Sequence, residues 1–201
     1  MSSGMAWDTE GTKRKIVDAA TERFAATGPA GTTIERIAKE AGVNKERIYT
    51  YFGGKEALFA HVLREQMATA TASVPIPSTG AEDVGDYAGR LFDYLAEHPH
   101  LIRLLQWEAL TMSGTVPDEQ RRSEMYADRT AQLARGQATG AVTGSLDPDI
   151  LNVLILGVTG YWSMLPQVTR MIAGPGDSKQ ELARRRAAVV EAARRLAIPL
   201  P

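Results

Sequence analysis

Cysteine is absent from this 201-residue sequence, which removes disulfides, thiolate metal sites and cysteine nucleophiles together. A chain without thiols fits a reducing compartment, and a cytoplasmic location is expected. Histidine is scarce too: three residues, with no Gly-Ser elbow to serve, leave little for catalysis. The opening "MSSGMAWDTEG" has no basic segment followed by an apolar run, so no signal peptide is expected. Long hydrophobic runs are also missing. The nearest, "ILNVLILGVTGYWSML" from Ile150 to Leu165, is shorter than the roughly 20 residues of a spanning helix. Asn152, Gly157 and Gly160 interrupt it, so it reads as a helix buried on most of its circumference, and no membrane is expected as a partner.

A strong net charge is lacking as well, at −1, but the charges are segregated. Residues 1–60 carry nine basic against eight acidic side chains, residues 61–120 three against nine, and residues 121–201 eleven against seven. Any nucleic-acid footprint must therefore be local, because whole-domain basicity offers none.

What is present is helical periodicity, with no strand-like alternation bounded by turns. A first helix is expected from about Lys13 to Thr27, with Ile16, Ala20 and Phe24 four residues apart and Gly28-Pro29 ending it. A second opens at "TTIE" with Thr32 as N-cap, buries Ile34, Ile37, Ala38 and Ala41, and stops at Gly42. A third starts at Asn44 and lasts barely two turns, to about Tyr51. A fourth fades into the breaker stretch "SVPIPSTG", the best candidate for a domain edge. Five more are expected near 82–97, 99–112, 118–140, 148–170 and 178–197. The fold class is all-α, with no internal repeat.

The stretch "AGVNKERIYTYFGGKEAL", residues 41 to 58, carries the functional signal. Two short helices joined by a Gly turn form a helix-turn-helix, whose second helix lies in the DNA major groove. Ile48 and Phe52, with Val43, make its inward contact. That leaves Lys45, Glu46, Arg47, Tyr49, Thr50 and Tyr51 facing outward. Arg47 can fork onto O6 and N7 of a guanine, Lys45 can do likewise or take a phosphate, and Thr50 can touch a thymine methyl. Tyr49 and Tyr51 suit phosphate oxygens, Thr33 offers a hydroxyl and a helix-start N–H to another, and Lys55 serves the far flank.

"TTIERIAKEAGVNKERIYTYFGGKEALFAHVL" resembles the DNA-binding domain of the TetR family of bacterial transcriptional regulators. It shows that family's Thr, Ile-Ala, Ala-Gly-Val, Tyr-x-(His or Tyr)-Phe and Lys-Glu-x-Leu. The resemblance covers about residues 12–64; the remainder is similar only in length and helical character. It implies a homodimer, usually a repressor, released from its operator by a small molecule in the C-terminal domain. It maps phosphate contacts onto Thr33, Tyr49, Tyr51 and Lys55, and base reading onto the first turn of the third helix. Glu46 and Arg47 depart from the family, which often has Gly or Ala at the first position and a small residue at the second. Glu46 can accept from a cytosine amino group or orient Arg47.

Elsewhere, His98 and His100 in "EHPHLI" flank a Pro without a further ligand at metal spacing, so no metal and no cofactor are expected. Trp107, Met112, Met125, Tyr126, Tyr161, Trp162 and Met164 read as core. The resemblance makes that core a cavity for an apolar, ring-bearing effector, with Arg103 and Glu108 as polar anchors. The acidic middle segment weakly favours a neutral or cationic ligand. The apolar run and the last helix would pair across a two-fold into an intermolecular four-helix bundle, as the resemblance implies. Arg184-Arg185-Arg186 reads as the solvated side of that last helix.

The expectation is thus a DNA-binding domain over residues 1–55, a linking helix over about 55–72, and an effector-binding and dimerisation domain over 73–201. The expected function is that of a ligand-responsive repressor, not an enzyme. A family member that activates or answers to a protein partner is the alternative; a helical enzyme or interaction module is the distant one.

Overall fold

The structure, a computed structural model, describes residues 3–75, 80–112, 114, 116, 118–176 and 178–199, with side chains from Thr9 onward. The chain folds into ten helices among these residues and no strand. They form two compact units. The first holds residues 1–69 and 103–118, the second residues 70–102 and 119–201. Residues 76–79 of the expected domain-edge stretch lie outside the described residues.

In the first unit, α1 (Ser3–Thr27) is the support. It begins ten residues ahead of the expected start, because residues 3–12 carry no apolar periodicity by which a helix could be recognised. Ile16, Val17, Ala20 and Phe24 are buried along its length, and Phe24 meets Phe59 of α4 (Lys55–Ser73) edge-on with centroids 5.3 Å apart. Helix α2 (Ile34–Ala41) buries the expected Ile34, Ile37, Ala38 and Ala41. Its cap corrects the reading of "TTIE". Thr33, not Thr32, has extended backbone, and its Oγ1 accepts from the Arg36 N–H at 3.3 Å. Thr32 is buried beneath it, and its carbonyl accepts from the Lys55 ammonium. Gly42 ends α2 in the left-handed region at φ +66°, and α3 (Lys45–Phe52) follows after two residues.

The first unit also takes the greater part of α6 (Pro99–Thr111). Trp107 lies flat on Gly28 at the end of α1, and its indole N–H donates to the Ala25 carbonyl at 3.4 Å. A Cβ on Gly28 would sit 2.7 Å from the ring, and the residue's φ of +70° independently favours glycine.

The second unit packs α5 (Ala81–Glu97) against α10 (Lys179–Ala197), with α7 (Glu119–Ala138) and α8 (Pro148–Met164) alongside. Gly85 and Gly89, one turn apart, let α10 approach closely: a Cβ on Gly89 would stand 2.7 Å from the Val190 Cγ2. Ion pairs of Arg186 with Asp93 (2.7 Å) and Arg194 with Glu82 (3.4 Å) flank that contact. The single helix expected over 148–170 is two. Leu165 leaves helical geometry (φ −130°, ψ 61°) and α9 (Pro166–Ala173) starts anew. Pro166 lacks the N–H that would continue α8, and its ring disfavours helical backbone at the preceding residue. Among the described residues no helix is long and apolar enough to cross a membrane, and no group of three His, Asp or Glu could hold a metal.

Candidate nucleic-acid interface

Helix α3 is too short to stand alone and is held by one buried anchor, Ile48, whose side chain is fully enclosed. Phe52 is half-buried and meets the His61 ring at 5.0 Å, which fixes the end of α3 against α4. With this facing set, Lys45, Glu46, Arg47, Tyr49 and Thr50 are all exposed, Tyr49 to 51%. Tyr51 is half-buried beneath the Lys13 ammonium, 5.9 Å from its ring centre. Thr33 is exposed at the start of α2, and Lys55 is half-buried at the start of α4. All eight residues expected to touch DNA therefore lie in the first unit, on α3 and on the starts of the two helices flanking it.

The polar groups of this face are tethered, not loose. Lys45 reaches the Glu35 carboxylate at 3.3 Å, and Arg47 donates to the Thr12 hydroxyl at 3.3 Å. Glu35 titrates below the ordinary carboxylate range, chiefly because its own backbone N–H bonds to it and then because Lys45 does. Thr50 gives its hydroxyl proton to the Glu46 carbonyl at 2.8 Å, which leaves its methyl for apolar contact. The Thr33 hydroxyl accepts as a cap and gives its proton to the Glu35 carboxylate, which it helps to hold down. Lys55 donates to the Thr32 carbonyl at 3.3 Å, using one of three ammonium protons. Such arms order the side chains at little cost, since exposed pairs of this kind are weak and phosphate oxygens can displace them.

Thr12, Lys13 and Glu35 were not among the sequence candidates. Glu35 could have been seen, standing ten residues before Lys45 in the capping sequence. Thr12 and Lys13 could not, because their approach to α3 depends on the angle of α1 across the motif.

The eight residues expected around an effector fall in both units. Arg103, Trp107, Glu108 and Met112 fall in the first unit, where Arg103 is exposed, Glu108 is buried and Trp107 clamps Gly28. Met125 and Tyr126 are half-buried on α7. Tyr161 is exposed on α8 and Trp162 is half-buried beneath the Arg185 guanidinium, 5.0 Å from its ring. Both line an open apolar groove of about 530 Å³ between α8 and α10, with Gly157, Val158, Ala188, Val189 and Ala192. This groove continues onto the exposed Ile150, Val153, Leu154 and Met164 of α8.

Two family models match the chain. Residues 16–62 match the family model described as bacterial regulatory proteins of the tetR family, and residues 83–195 match the tetracyclin repressor-like C-terminal domain. The HTH-type transcriptional repressor SCO4008 of Streptomyces coelicolor is 39% identical over 172 residues, spanning 85% of this chain and 88% of that protein. The crystal structure of the transcriptional regulator SCO4942 from Streptomyces coelicolor is 32% identical, covers 92% of this chain and 98% of its own, and superposes with a TM-score of 0.79. At 24% identity, the fold alone is shared with the transcriptional regulator FadR from Bacillus subtilis in complex with stearoyl-CoA, with a TM-score of 0.69 over 92% of this chain and 98% of that one.

Proposed function

Because this chain belongs to the TetR family of bacterial transcriptional regulators, and so is a DNA-binding regulator, not an enzyme, we propose that it is a homodimeric repressor released from a palindromic operator by a small apolar or aromatic effector. The observation that carries this reading is the facing of α3. One enclosed anchor, Ile48, turns Lys45, Glu46, Arg47, Tyr49 and Thr50 outward together, on a helix whose entry is a left-handed Gly turn.

In this reading Arg47 leaves Thr12 to fork onto a guanine, and Lys45 leaves Glu35 for a base edge or a phosphate. Tyr49, Tyr51, Thr33 and Lys55 fix the register on the backbone, while Glu46 and Thr50 read neighbouring bases. The apolar stripe of α8 and the small residues of α10 support pairing of two copies through these helices, which sets the spacing of the two half-sites. The naming of SCO4008 as a repressor favours repression over activation. The complex of FadR with stearoyl-CoA indicates that this helical architecture can bind a ligand with a long apolar chain. Release requires the effector to bind the two states of the dimer differently. Helices α4 and α6 each begin in one unit and end in the other, so a change in the second unit has a covalent route to the first.

The test is fluorescence-anisotropy binding to the DNA flanking the protein's own gene, titrated with salt, for the natural protein and Arg47→Ala. Tight, selective binding is expected, with log affinity falling by about 0.9 per phosphate neutralised for each unit of log salt. Arg47→Ala is expected to lose about tenfold or more in preference over random DNA. Equal preference before and after the substitution would remove Arg47 from base reading. Equal, weak binding of every sequence, including those drawn from a random pool, would remove the reading itself.

A further inference from the structure

We infer that the second unit carries a buried anion subsite between α5 and α7, built from Tyr87, Arg90, Tyr126 and Arg129, which takes the carboxylate of an aromatic or apolar organic acid. It rests on the reading of the second unit as the one that senses the effector.

Tyr87 is 1% exposed, yet its hydroxyl meets no hydrogen-bond partner among the described residues. A buried hydroxyl left this way costs the protein its full desolvation. Such a group is rare unless something absent from the isolated chain completes it. Three residues on, the Arg90 Nε–H is likewise buried without a partner, while its Nη2 is used on the Pro75 carbonyl at 2.9 Å. Across from α5, the Arg129 guanidinium lies over the Tyr87 ring at 5.6 Å. Burial foremost raises the Tyr87 pKa, and the Arg129 and Arg90 guanidinium groups pull it down against burial. The net shift is upward, so at neutral pH it is a phenol with a proton to give.

The cluster is thus two idle donors, the Tyr87 hydroxyl and the Arg90 Nε–H, with a second guanidinium, that of Arg129, over the Tyr87 ring, and three acids of α5 are engaged elsewhere. Asp93 pairs with Arg186, Glu82 with Arg194, and Asp83 accepts from the Gly80 N–H. What such a constellation lacks is an acceptor bearing negative charge. A planar carboxylate supplies two oxygens, suited to a guanidinium fork and a phenol at once. The net acidity of residues 61–120 points to a neutral or cationic ligand, but the local cations decide what a buried group meets. The Tyr126 and Tyr87 rings would face the apolar body of the acid.

The test uses the full-length protein with benzoate, naphthoate and octanoate, each against its own primary amide, in titration calorimetry and thermal melting. At least one carboxylate is expected to bind ~10-fold more tightly than its amide, the amide being the same shape without the charge. Tyr87→Phe and Arg129→Gln are each expected to reduce that preference ~10-fold. Tyr87→Phe should leave the melting temperature of the free protein unchanged or raised, because it removes a hydroxyl that has no partner. The inference is overturned if no carboxylate is preferred over its amide, or if the preference survives both substitutions. It is equally overturned if Tyr87→Phe lowers the free protein's melting temperature by several degrees, since the hydroxyl would then have an internal partner. Operator binding by the ligand-free protein, measured alongside, separates the two readings: binding retained without carboxylate preference rejects the subsite alone.

Discussion

Two helices of this protein expose an entire face, and the faces differ in kind. Helix α3 turns out Lys45, Glu46, Arg47, Tyr49 and Thr50, each polar, and three of them tied down by weak bonds. Helix α8 turns out Ile150, Val153, Leu154, Tyr161 and Met164, and no charge interrupts the stripe. Water tolerates the first face, while covering the second would gain about 25 cal/mol per Å² of apolar surface. An arc of donors held by bonds that a stronger acceptor can break is suited to a polyanion. A continuous apolar stripe beside small residues on α10 is suited to a second apolar surface, and another copy of itself is the partner that symmetry provides. One surface is specific through what it donates, the other through what it hides.

The sharpest way to break the contrast is to give the apolar face a charge. Leu154→Glu should dissociate the proposed dimer, because an unpaired carboxylate would be buried at the interface. With only one half-site engaged at a time, operator affinity should fall by about 100-fold or more. Sedimentation velocity and the anisotropy assay together check this. A dimer that survives Leu154→Glu, with operator binding intact, would move the interface off α8.

Next in size is the support beneath the polar face. Gly28→Ala places a Cβ 2.7 Å from the Trp107 ring at a φ of +70°. Left-handed strain and overpacking together should cost about 2–4 kcal/mol. Gly42→Ala has a similar φ of +66° but meets nothing within 4 Å, so only the strain remains, about 1 kcal/mol. Urea unfolding of both variants checks the difference. Equal losses would mean that Trp107 swings away freely and is no clamp.

The polar face was largely legible in the sequence because its residues are local. A Gly turn, a cap and one apolar anchor decide within a dozen residues which side of α3 faces out, and the buried face of α2 follows from the same periodicity. Even there the cap slipped by one residue, since Thr32 and Thr33 are the same chemistry and only the backbone separates them. Burial and aromatic character do not say which neighbour a side chain meets, and the expected effector residues fall in both units. Trp107 lies only five residues before Met112 and packs on Gly28, far away in the chain. The orphan Tyr87 hydroxyl could not be anticipated from sequence at all, because a missing partner is visible only when every neighbour is in place. Pro166, by contrast, was a plain signal that the long apolar run overshadowed.

A smaller effect sharpens the polar side. Glu35 holds Lys45 and competes with DNA for it. Glu35→Gln should therefore raise operator affinity a few-fold and steepen the salt dependence by at most about 0.9 in log–log slope, one phosphate's worth. An unchanged slope would mean that Lys45 does not reach a phosphate.

The smallest effect lies beside the apolar face, in the two carboxylates of α10. Glu181 is held down to about 2 by hydrogen bonds from Arg184 and Arg185, and Glu191 to about 2 by Arg194 and Arg195. Because the folded value lies below the ordinary 4.5, the folded state is favoured above that value. The contribution shrinks as pH falls from 4.5 toward 2, and is gone once both states are protonated. Glu181→Gln/Glu191→Gln should thus be less stable than the natural protein by a constant, small margin above pH 4.5, and the margin should close on the way to pH 2. Both groups are half-buried but still reach solvent, so added salt should reduce the margin at every pH. A margin that stays constant down to pH 2 would assign the loss to helix propensity or packing. No side chain of the apolar face changes its charge between pH 7 and pH 5, so the proposed dimer should hold over that range.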